Sequence, residues 1–196
     1  DSFTNKGVLN GNLDLGDGND TFIQTWNATL TGTADGGAGI DTFIFDLTGA
    51  GDTYILDLSI HNRLVNFENL ELLGSTGTNV VGSDEDGQVD LSGELGSVTL
   101  GSGNNTGNLD AHFAGLVDLG GGNNEFTITP GAVLDAGLQA GSGADQLTNQ
   151  GTIAGGVDLG DGANTFTNAP GGTVTGNVQA GSGNDQVANQ GTIEGD

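Results

Sequence analysis

The chain contains no cysteine, only two prolines and only two cationic residues, Lys6 and Arg63, among its 196 residues. Without cysteine there is neither a disulfide framework nor thiolate chemistry. Two cations cannot neutralise a phosphate backbone, which argues against binding to nucleic acid, and an anionic membrane surface would repel the chain. No run of about 18 apolar residues is present, so the sequence predicts no membrane-spanning helix.

Glycine and acidic residues are abundant instead. There are 39 glycines and 26 acidic residues, which gives a formal net charge of −24. High net charge with few aromatic residues is typical of disorder. Against this, 34% of the residues are apolar and recur at fixed positions. The glycines do not fall at every third position, which excludes collagen. We therefore expect a folded chain.

A repeated unit of the form Gly-x-Gly-x-(Asp/Asn)-x-apolar organises the sequence. Its first glycines lie at positions 16, 37, 101, 120, 141, 160 and 181, so the spacing is 19 or 21 residues apart from one gap of 64. That gap is close to three units. Residues 138–156 and 178–196 are identical at 13 of 19 positions. Short apolar runs with such a period predict a solenoid.

One unit, residues 156–176, reads as three short strands separated by three turns. Val157, Asp158 and Leu159 alternate inward, outward and inward, as a half-buried strand requires. Glycines at 160 and 162 supply the turn. We predict an all-β parallel β-helix (β-solenoid) of about nine or ten coils, each of 19–21 residues, with strands about 4.8 Å apart. The rod would be on the order of 45 Å long.

The organisation that we predict is a single β-helix over residues 1–196. Regular coils occupy 1–50 and 97–196, and the repeat diverges over 51–96, where we expect a loop. Both ends interrupt a repeat, so we interpret the chain as a fragment of a longer array.

Three columns of inward-facing side chains form the predicted core. The first column contains Leu15, Leu100, Leu119, Leu159, Ala140 and Ala180. The second contains Phe3, Phe22, Phe43, Phe126, Leu147, Phe166 and Val187. The third contains Val8, Val133, Ile153, Val174 and Ile193.

The repeat partly matches the calcium-binding nonapeptide Gly-Gly-x-Gly-x-Asp-x-U-x, and residues 36–44 match it in full. Carboxylates and turn carbonyls are the ligands that Ca²⁺ prefers. Asp20 and Asp41 occupy the aspartate position in consecutive units, with Asp17 nearby, which makes these three the candidate calcium ligands. The competing interpretation, which we favour, is a structural turn. Later units alternate Asn with Asp, and this predicts a metal-free ladder of side chains.

The divergent middle holds a cluster of Asp57, His61, Arg63 and Glu68. Loops on a rigid scaffold often carry function, so His61, Arg63 and Glu68 are candidate residues of a contact loop. The competing interpretation of Arg63 is a surface ion pair. Catalysis on a polysaccharide by this cluster is a further alternative. His112 stands alone, and a tolerated surface histidine is its simplest interpretation.

The segments VDLGDGANTFTN (157–168), TADGGAGIDTFIFD (33–46) and LVNFENLELLG (64–74) resemble the passenger repeats of bacterial autotransporters. The resemblance covers essentially the whole chain, but it rests on low-complexity repeats. It implies a right-handed β-helix, export through the outer membrane and an extracellular or cell-surface location. No functional motif of that family is matched residue by residue.

The expected function is therefore a non-enzymatic surface module that acts as an adhesin, a stalk or a host-contact surface. Its partners would be a host surface or receptor, or further copies of the chain, with neither a nucleic acid nor a small-molecule substrate. No cofactor is expected unless Ca²⁺ binds. The alternatives are a Ca²⁺-dependent repeat resembling those of repeats-in-toxin proteins, an extracellular filament subunit and a polysaccharide-active β-helix.

Overall fold

In the computed structural model, which describes residues 1–50, 53–54, 63–67, 69–81 and 87–196, the chain is an all-β parallel solenoid. Every strand pairing in this part of the chain is parallel. Within the same residues, no helix has the length and the apolar character needed to cross a membrane. The strands are β1 (Ser2–Asn5), β2 (Val8–Leu9), β3 (Leu13–Asp14), β4 (Thr21–Thr25), β5 (Thr29–Leu30), β6 (Ala34–Asp35), β7 (Thr42–Asp46), β8 (Thr53–Tyr54), β9 (Leu64–Val65), β10 (Asn69–Val81), β11 (Gly87–Thr99), β12 (Asn105–Leu109), β13 (His112–Phe113), β14 (Val117–Asp118), β15 (Glu125–Ile128), β16 (Val133–Leu134), β17 (Gly137–Gln139), β18 (Gln146–Asn149), β19 (Thr152–Ile153), β20 (Gly156–Asp158), β21 (Thr165–Asn168), β22 (Thr173–Val174), β23 (Val178–Gln179), β24 (Gln186–Asn189) and β25 (Thr192–Ile193).

The principal sheet stacks one strand from each successive coil. Its order is β1-β4-β7-β10-β11-β12-β15-β18-β21-β24. Phe3 pairs with Phe22, and Phe22 pairs with Phe43, so equivalent residues of the repeat lie above one another. One turn of the solenoid connects each strand of this sheet to the next strand in the order. Counting the turns whose residues are all described gives about seven.

Two further rows of short strands close each coil. In the C-terminal half these rows are β14-β17-β20-β23 and β13-β16-β19-β22-β25. In the N-terminal half they are β3-β6-β9 and β2-β5. Strands β20, β21 and β22 fall in the coil over residues 156–176, which confirms the predicted three strands per coil. The right-handed winding stays a prediction.

The first two predicted core columns are confirmed in the inner coils, and their residues in the outer coils are less buried. Leu119 and Leu159 are 1% and 0% exposed, and Phe22, Phe43 and Phe166 are similarly buried. Phe22 and Phe43 also contact each other, with ring centroids 5.2 Å apart. In the last strand of this column, Val187 is 47% exposed. Burial of the aromatic column removes a large apolar area from water, which is the main force that stabilises the fold.

The predicted third column is wrong by one residue at two positions. Val8 is 68% exposed, and the inward position belongs to Leu9, which pairs with Leu30. Likewise Leu134 is fully buried and pairs with Ile153, whereas Val133 is only partly buried. In each Val-Leu pair, alternation allows only one side chain to face inward. The register with the neighbouring coil selects the leucine.

Strand pairing continues through the described parts of the divergent segment. Strands β10 and β11 each have 13 residues and pair with each other, with irregular register between Gly74 and Asn79. Strand β10 also pairs with β7, and β11 pairs with β12. The two regular regions therefore belong to one continuous sheet.

Candidate functional site

The corner of each coil is built by the two glycines of the repeat. Gly160 has φ +69° and Gly162 has φ +123°, conformations that L side chains rarely adopt. The coils also approach each other closely here. A Cβ atom on Gly162 would lie 1.6 Å from the carbonyl oxygen of Gly143 in the preceding coil. This corner turns the chain so that the fifth residue of the repeat points into the coil.

We use the name corner ladder for these fifth residues, which are stacked from coil to coil and almost completely buried. Its fully buried members are Asp20, Asp41, Asn105, Asn124, Asp145 and Asn164. In four of them the Oδ1 atom accepts a hydrogen bond from the backbone N–H of the ladder residue one coil earlier, namely in Asp41, Asn124, Asp145 and Asn164. The Asn124 N–H donates to Asp145 Oδ1 at 2.8 Å, and the Asp145 N–H donates to Asn164 Oδ1 at 3.0 Å. The ladder thus ties each corner to the next.

Asparagine and aspartate in the ladder differ in the second terminal atom of the side chain, which is Nδ2 in asparagine and Oδ2 in aspartate. The Asn105 Nδ2 donates to Gly103 O at 2.9 Å, and the Asn164 Nδ2 donates to Leu159 O at 3.0 Å. These amides therefore satisfy carbonyl groups of their own turn. A carboxylate has no hydrogen to donate there. Both Asp20 Oδ2 and Asp145 Oδ2 are buried and accept no hydrogen bond.

The environment of Asp145 disfavours its ionised form. Burial raises the pKa of the Asp145 carboxyl above its ordinary value, because desolvation penalises the charge. The backbone N–H and the side-chain amide of Asn124 act in the opposite direction, since both donate to Oδ1, and they lower the pKa by less than burial raises it.

The structure places the three candidate calcium ligands in two different environments. Asp17 is exposed on the outside of its corner, whereas Asp20 and Asp41 are 2% and 0% exposed and belong to the corner ladder. The Asp20 N–H donates to Asp41 Oδ1 at 2.7 Å, and the amino group of Asp1 contacts Asp20 Oδ1. In the described part of the chain, no three His, Cys, Asp or Glu side chains are grouped to hold a metal ion. Calcium binding stays a prediction.

Only one residue of the predicted contact loop can be placed. His61 and Glu68, like Asp57, lie outside the described residues. Arg63 is exposed, and its guanidinium donates a hydrogen bond to the carbonyl oxygen of Leu30 in the preceding coil. This contact anchors the Arg63 side chain against the solenoid.

His112 has a partner that the sequence analysis missed. Its Nε2 lies 2.9 Å from Asp135 Oδ2, and both side chains are about half exposed. The pair links consecutive coils across the surface, and such exposed pairs contribute little to stability.

A second buried row of polar side chains was also missed. We call it the asparagine ladder: it consists of Asn149 and Asn168, which are fully buried, and Asn189, which is exposed in the last coil. The Asn149 Nδ2 donates to Asn168 Oδ1, and the Asn168 Nδ2 donates to Asn189 Oδ1, both at 2.9 Å. Its signal in the sequence is the Asn-Gln-Gly of the second turn at 149–151 and 189–191, where the Asn149 side chain accepts the N–H of Gly151.

One described depression lies along the row β17-β20-β23. Its volume is about 250 Å³, and Gln139, Asp158 and Gln179 are among the residues that line it. Gly137 and Gly156 contribute bare backbone between these side chains. The arrangement offers amide donors and carboxylate or carbonyl acceptors to a polar partner.

Comparison of the chain with protein-family models, with characterised proteins and with solved structures gives no significant match.

Proposed function

We propose that the chain is a non-enzymatic module of an exported bacterial protein, similar to an autotransporter passenger, and that it serves as a stiff stalk and contact surface outside the cell. The observation that supports this most is the continuous parallel pairing of strands from β1 to β24. Such a stack resists bending because every coil is hydrogen-bonded to its neighbours along its strands.

The two buried ladders add to this stiffness. A buried amide or carboxyl group that is hydrogen-bonded to the next coil stays in place only while the coils keep their register. The Asn124 side chain, for example, donates both to its own turn and to Asp145 of the next coil. Sliding of one coil against the next would break these bonds inside the protein, where water cannot replace them.

The outward surface supports a contact role with polar partners. Thr127, Thr148 and Thr167 lie in register on three successive coils of the principal sheet. The depression lined by Gln139 and Asp158 lies on another row of strands. Hydroxyl and amide groups at fixed spacing suit hydrogen bonding to a glycan or a polar protein surface, and the net charge of −24 favours cationic partners.

Two measurements test the proposal. Antibody labelling and protease digestion of intact source cells should detect this segment outside the cell; detection only after lysis would contradict export. Beads coated with the protein should adhere to host cells or to immobilised glycans, and Gln139→Ala should weaken adhesion if the depression makes the contact. Adhesion no greater than that of albumin-coated beads would contradict the contact role. The labelling of intact cells would then test the proposed location of the stalk.

Calcium-dependent folding is a second candidate, favoured by the burial of Asp20 and Asp41 in consecutive coils. Two ionised carboxylates about 4.8 Å apart repel each other by roughly 3–4 kcal/mol at an effective dielectric of 20, and a cation would remove that repulsion. The leading proposal predicts that the far-ultraviolet circular dichroism of the protein is the same in EDTA and in millimolar CaCl₂. Loss of the β signal in EDTA, with recovery on adding Ca²⁺ but not Mg²⁺, would instead support the second candidate.

A further inference from the structure

The corner ladder places one carboxyl group where its neighbours carry amides. Asp145 is 0% exposed and lies between Asn124 and Asn164 in the stack. Its Oδ1 accepts both the backbone N–H and the Nδ2–H of Asn124, each at 2.8 Å. Its Oδ2 is buried and accepts no hydrogen bond.

The flanking asparagines show what this position in the coil demands. The Asn124 Nδ2 donates to the carbonyl oxygens of Gly121 and Gly122, which belong to its own turn. One coil on, the equivalent turn belongs to Asp145, and its second side-chain atom is an oxygen. In the position from which the Asn124 amide donates to carbonyl oxygens, an ionised Asp145 would have a negatively charged oxygen with no hydrogen to donate. A protonated carboxyl has an O–H that can donate as the amide does.

We propose that Asp145 carries a proton on Oδ2 in the folded protein at pH values where an ordinary aspartate is ionised, and that this proton donates a hydrogen bond within its own turn. The neutral acid then has the donor and acceptor pattern of asparagine. The coil stack is consequently stabilised by acid, which is the reverse of what a salt-bridged aspartate does.

The charged groups near the corners of the neighbouring coils are carboxylates, which do not favour an ionised Asp145. In the coil before, Glu125 is exposed on the outer face, and in the coil after, Asp161 is exposed at the corner. The next acid of the ladder, Asp185, is two coils away, since Asn164 lies between them. All three are carboxylates, and the two cationic side chains, Lys6 and Arg63, belong to coils before β10. Burial, which raises the pKa of Asp145, is therefore not offset by a neighbouring positive charge.

A metal ion suits this position less well than a proton. Ca²⁺ takes six to eight oxygen ligands. The flanking ladder residues are asparagines whose amide groups already donate to turn carbonyls, Gly121 O for Asn124 and Leu159 O for Asn164. Asp145 Oδ2 is a single buried oxygen, so a proton on this atom satisfies it without further ligands.

The linkage between this proton and folding has a definite sign. The folded-state pKa lies above the unfolded-state value, so the contribution of Asp145 to stability is full below the unfolded-state pKa and is lost as pH rises through the folded-state pKa. The variant Asp145→Asn supplies the donor permanently. We expect it to raise the melting temperature at pH 8 by about 3 °C or more and to change it little at pH 5.

Glu125→Gln is the matched control, because it removes one negative charge from an exposed side chain in the neighbouring coil. It should leave the difference in melting temperature between pH 5 and pH 8 close to that of the unchanged protein. If both variants change the melting temperature equally, the cause is net charge and the proposal is wrong. It is also wrong if Asp145→Asn lowers the melting temperature at both pH values.

Carbon-13 NMR of the aspartate carboxyl carbons observes the proton directly. One resonance should keep the chemical shift of a protonated acid above pH 5, and it should be missing in Asp145→Asn. If every aspartate in the folded protein titrates in the ordinary acidic range, the proposal is wrong. It is also wrong if CaCl₂ raises the melting temperature and Asp145→Asn abolishes that rise, since Oδ2 would then bind a metal ion.

Discussion

Gly162 meets two separate requirements of the coil, a positive φ and a close approach to the backbone of the preceding coil. Its φ of +123° lies in a region that is nearly exclusive to glycine, and its Cα lies against the carbonyl of Gly143 in the preceding coil. Other glycines meet only one demand or neither. Gly171 has φ +91° but open space around it, and Gly7 has an ordinary φ and open space.

These differences predict a graded series of alanine substitutions. Gly162→Ala should lower the free energy of unfolding by roughly 2–4 kcal/mol, because it adds backbone strain and a clash with the carbonyl of Gly143 in the preceding coil. Gly171→Ala should cost about 1–2 kcal/mol through strain alone, and Gly7→Ala should stay within about 0.5 kcal/mol. Urea unfolding followed by circular dichroism measures all three. Equal effects at Gly162 and Gly7 would contradict the close packing of the corners.

At the scale of the strands, register determines which of two adjacent apolar residues enters the core. The alternation of burial was predictable wherever a strand held a single apolar residue between polar ones, as at Phe166 and Val174. It was ambiguous at the Val-Leu pairs of β2 and β16, since both residues are apolar. Pairing with Leu30 and Ile153 resolved the ambiguity in favour of the leucines.

The corrected register has a direct consequence for stability. Leu134→Ala should lower the free energy of unfolding by about 2–5 kcal/mol, because it leaves a cavity in the core. Val133→Ala is the matched control and should cost less than about 1 kcal/mol, since Val133 is only partly buried. The two unfolding midpoints in urea provide the comparison. A larger effect at Val133 would mean that β16 is in the other register.

The ladders show the same limit on prediction from sequence. The stacking of Asn and Asp at the fifth position of the repeat was predicted from the spacing alone, and the hydrogen bonds from coil to coil confirm it. The asparagine ladder was missed, because Asn149 and Asn168 lie beside polar residues and close to the glycines of the second turn, which is typical of an exposed turn. Their burial depends on how tightly the second turn closes over them.

For the whole molecule, the repulsion between carboxylates depends on how they are spaced along the coils as well as on the net charge. Along β14-β17-β20-β23, Asp118, Gln139, Asp158 and Gln179 are in register, so the two carboxylates are two coils apart. The corner ladder around Asp145 has the same alternation. Doubling the spacing from about 4.8 to 9.6 Å halves the repulsion between neighbouring charges. The net charge of −24 still opposes the compact state.

This repulsion predicts that salt stabilises the protein. Raising NaCl from about 0.02 to 0.5 M shortens the range of repulsion between surface carboxylates, so the melting temperature should rise by several degrees. A variant that replaces the exposed Asp110 and Glu125 by their amides should show a smaller rise. A melting temperature that is independent of NaCl, or falls with it, would show that long-range repulsion is unimportant here.

The sequence by itself determined the architecture, because a period of 19–21 residues with glycine at each corner leaves little besides a stack of coils. It also determined which residues repeat, and hence two of the three core columns and the corner ladder. Only the tertiary structure decided the register of the Val-Leu pairs and the partners of the buried polar groups. Whether a carboxyl such as Asp145 finds a donor, a cation or nothing depends on atoms contributed by neighbouring coils, and the residue pattern of one coil does not specify their positions.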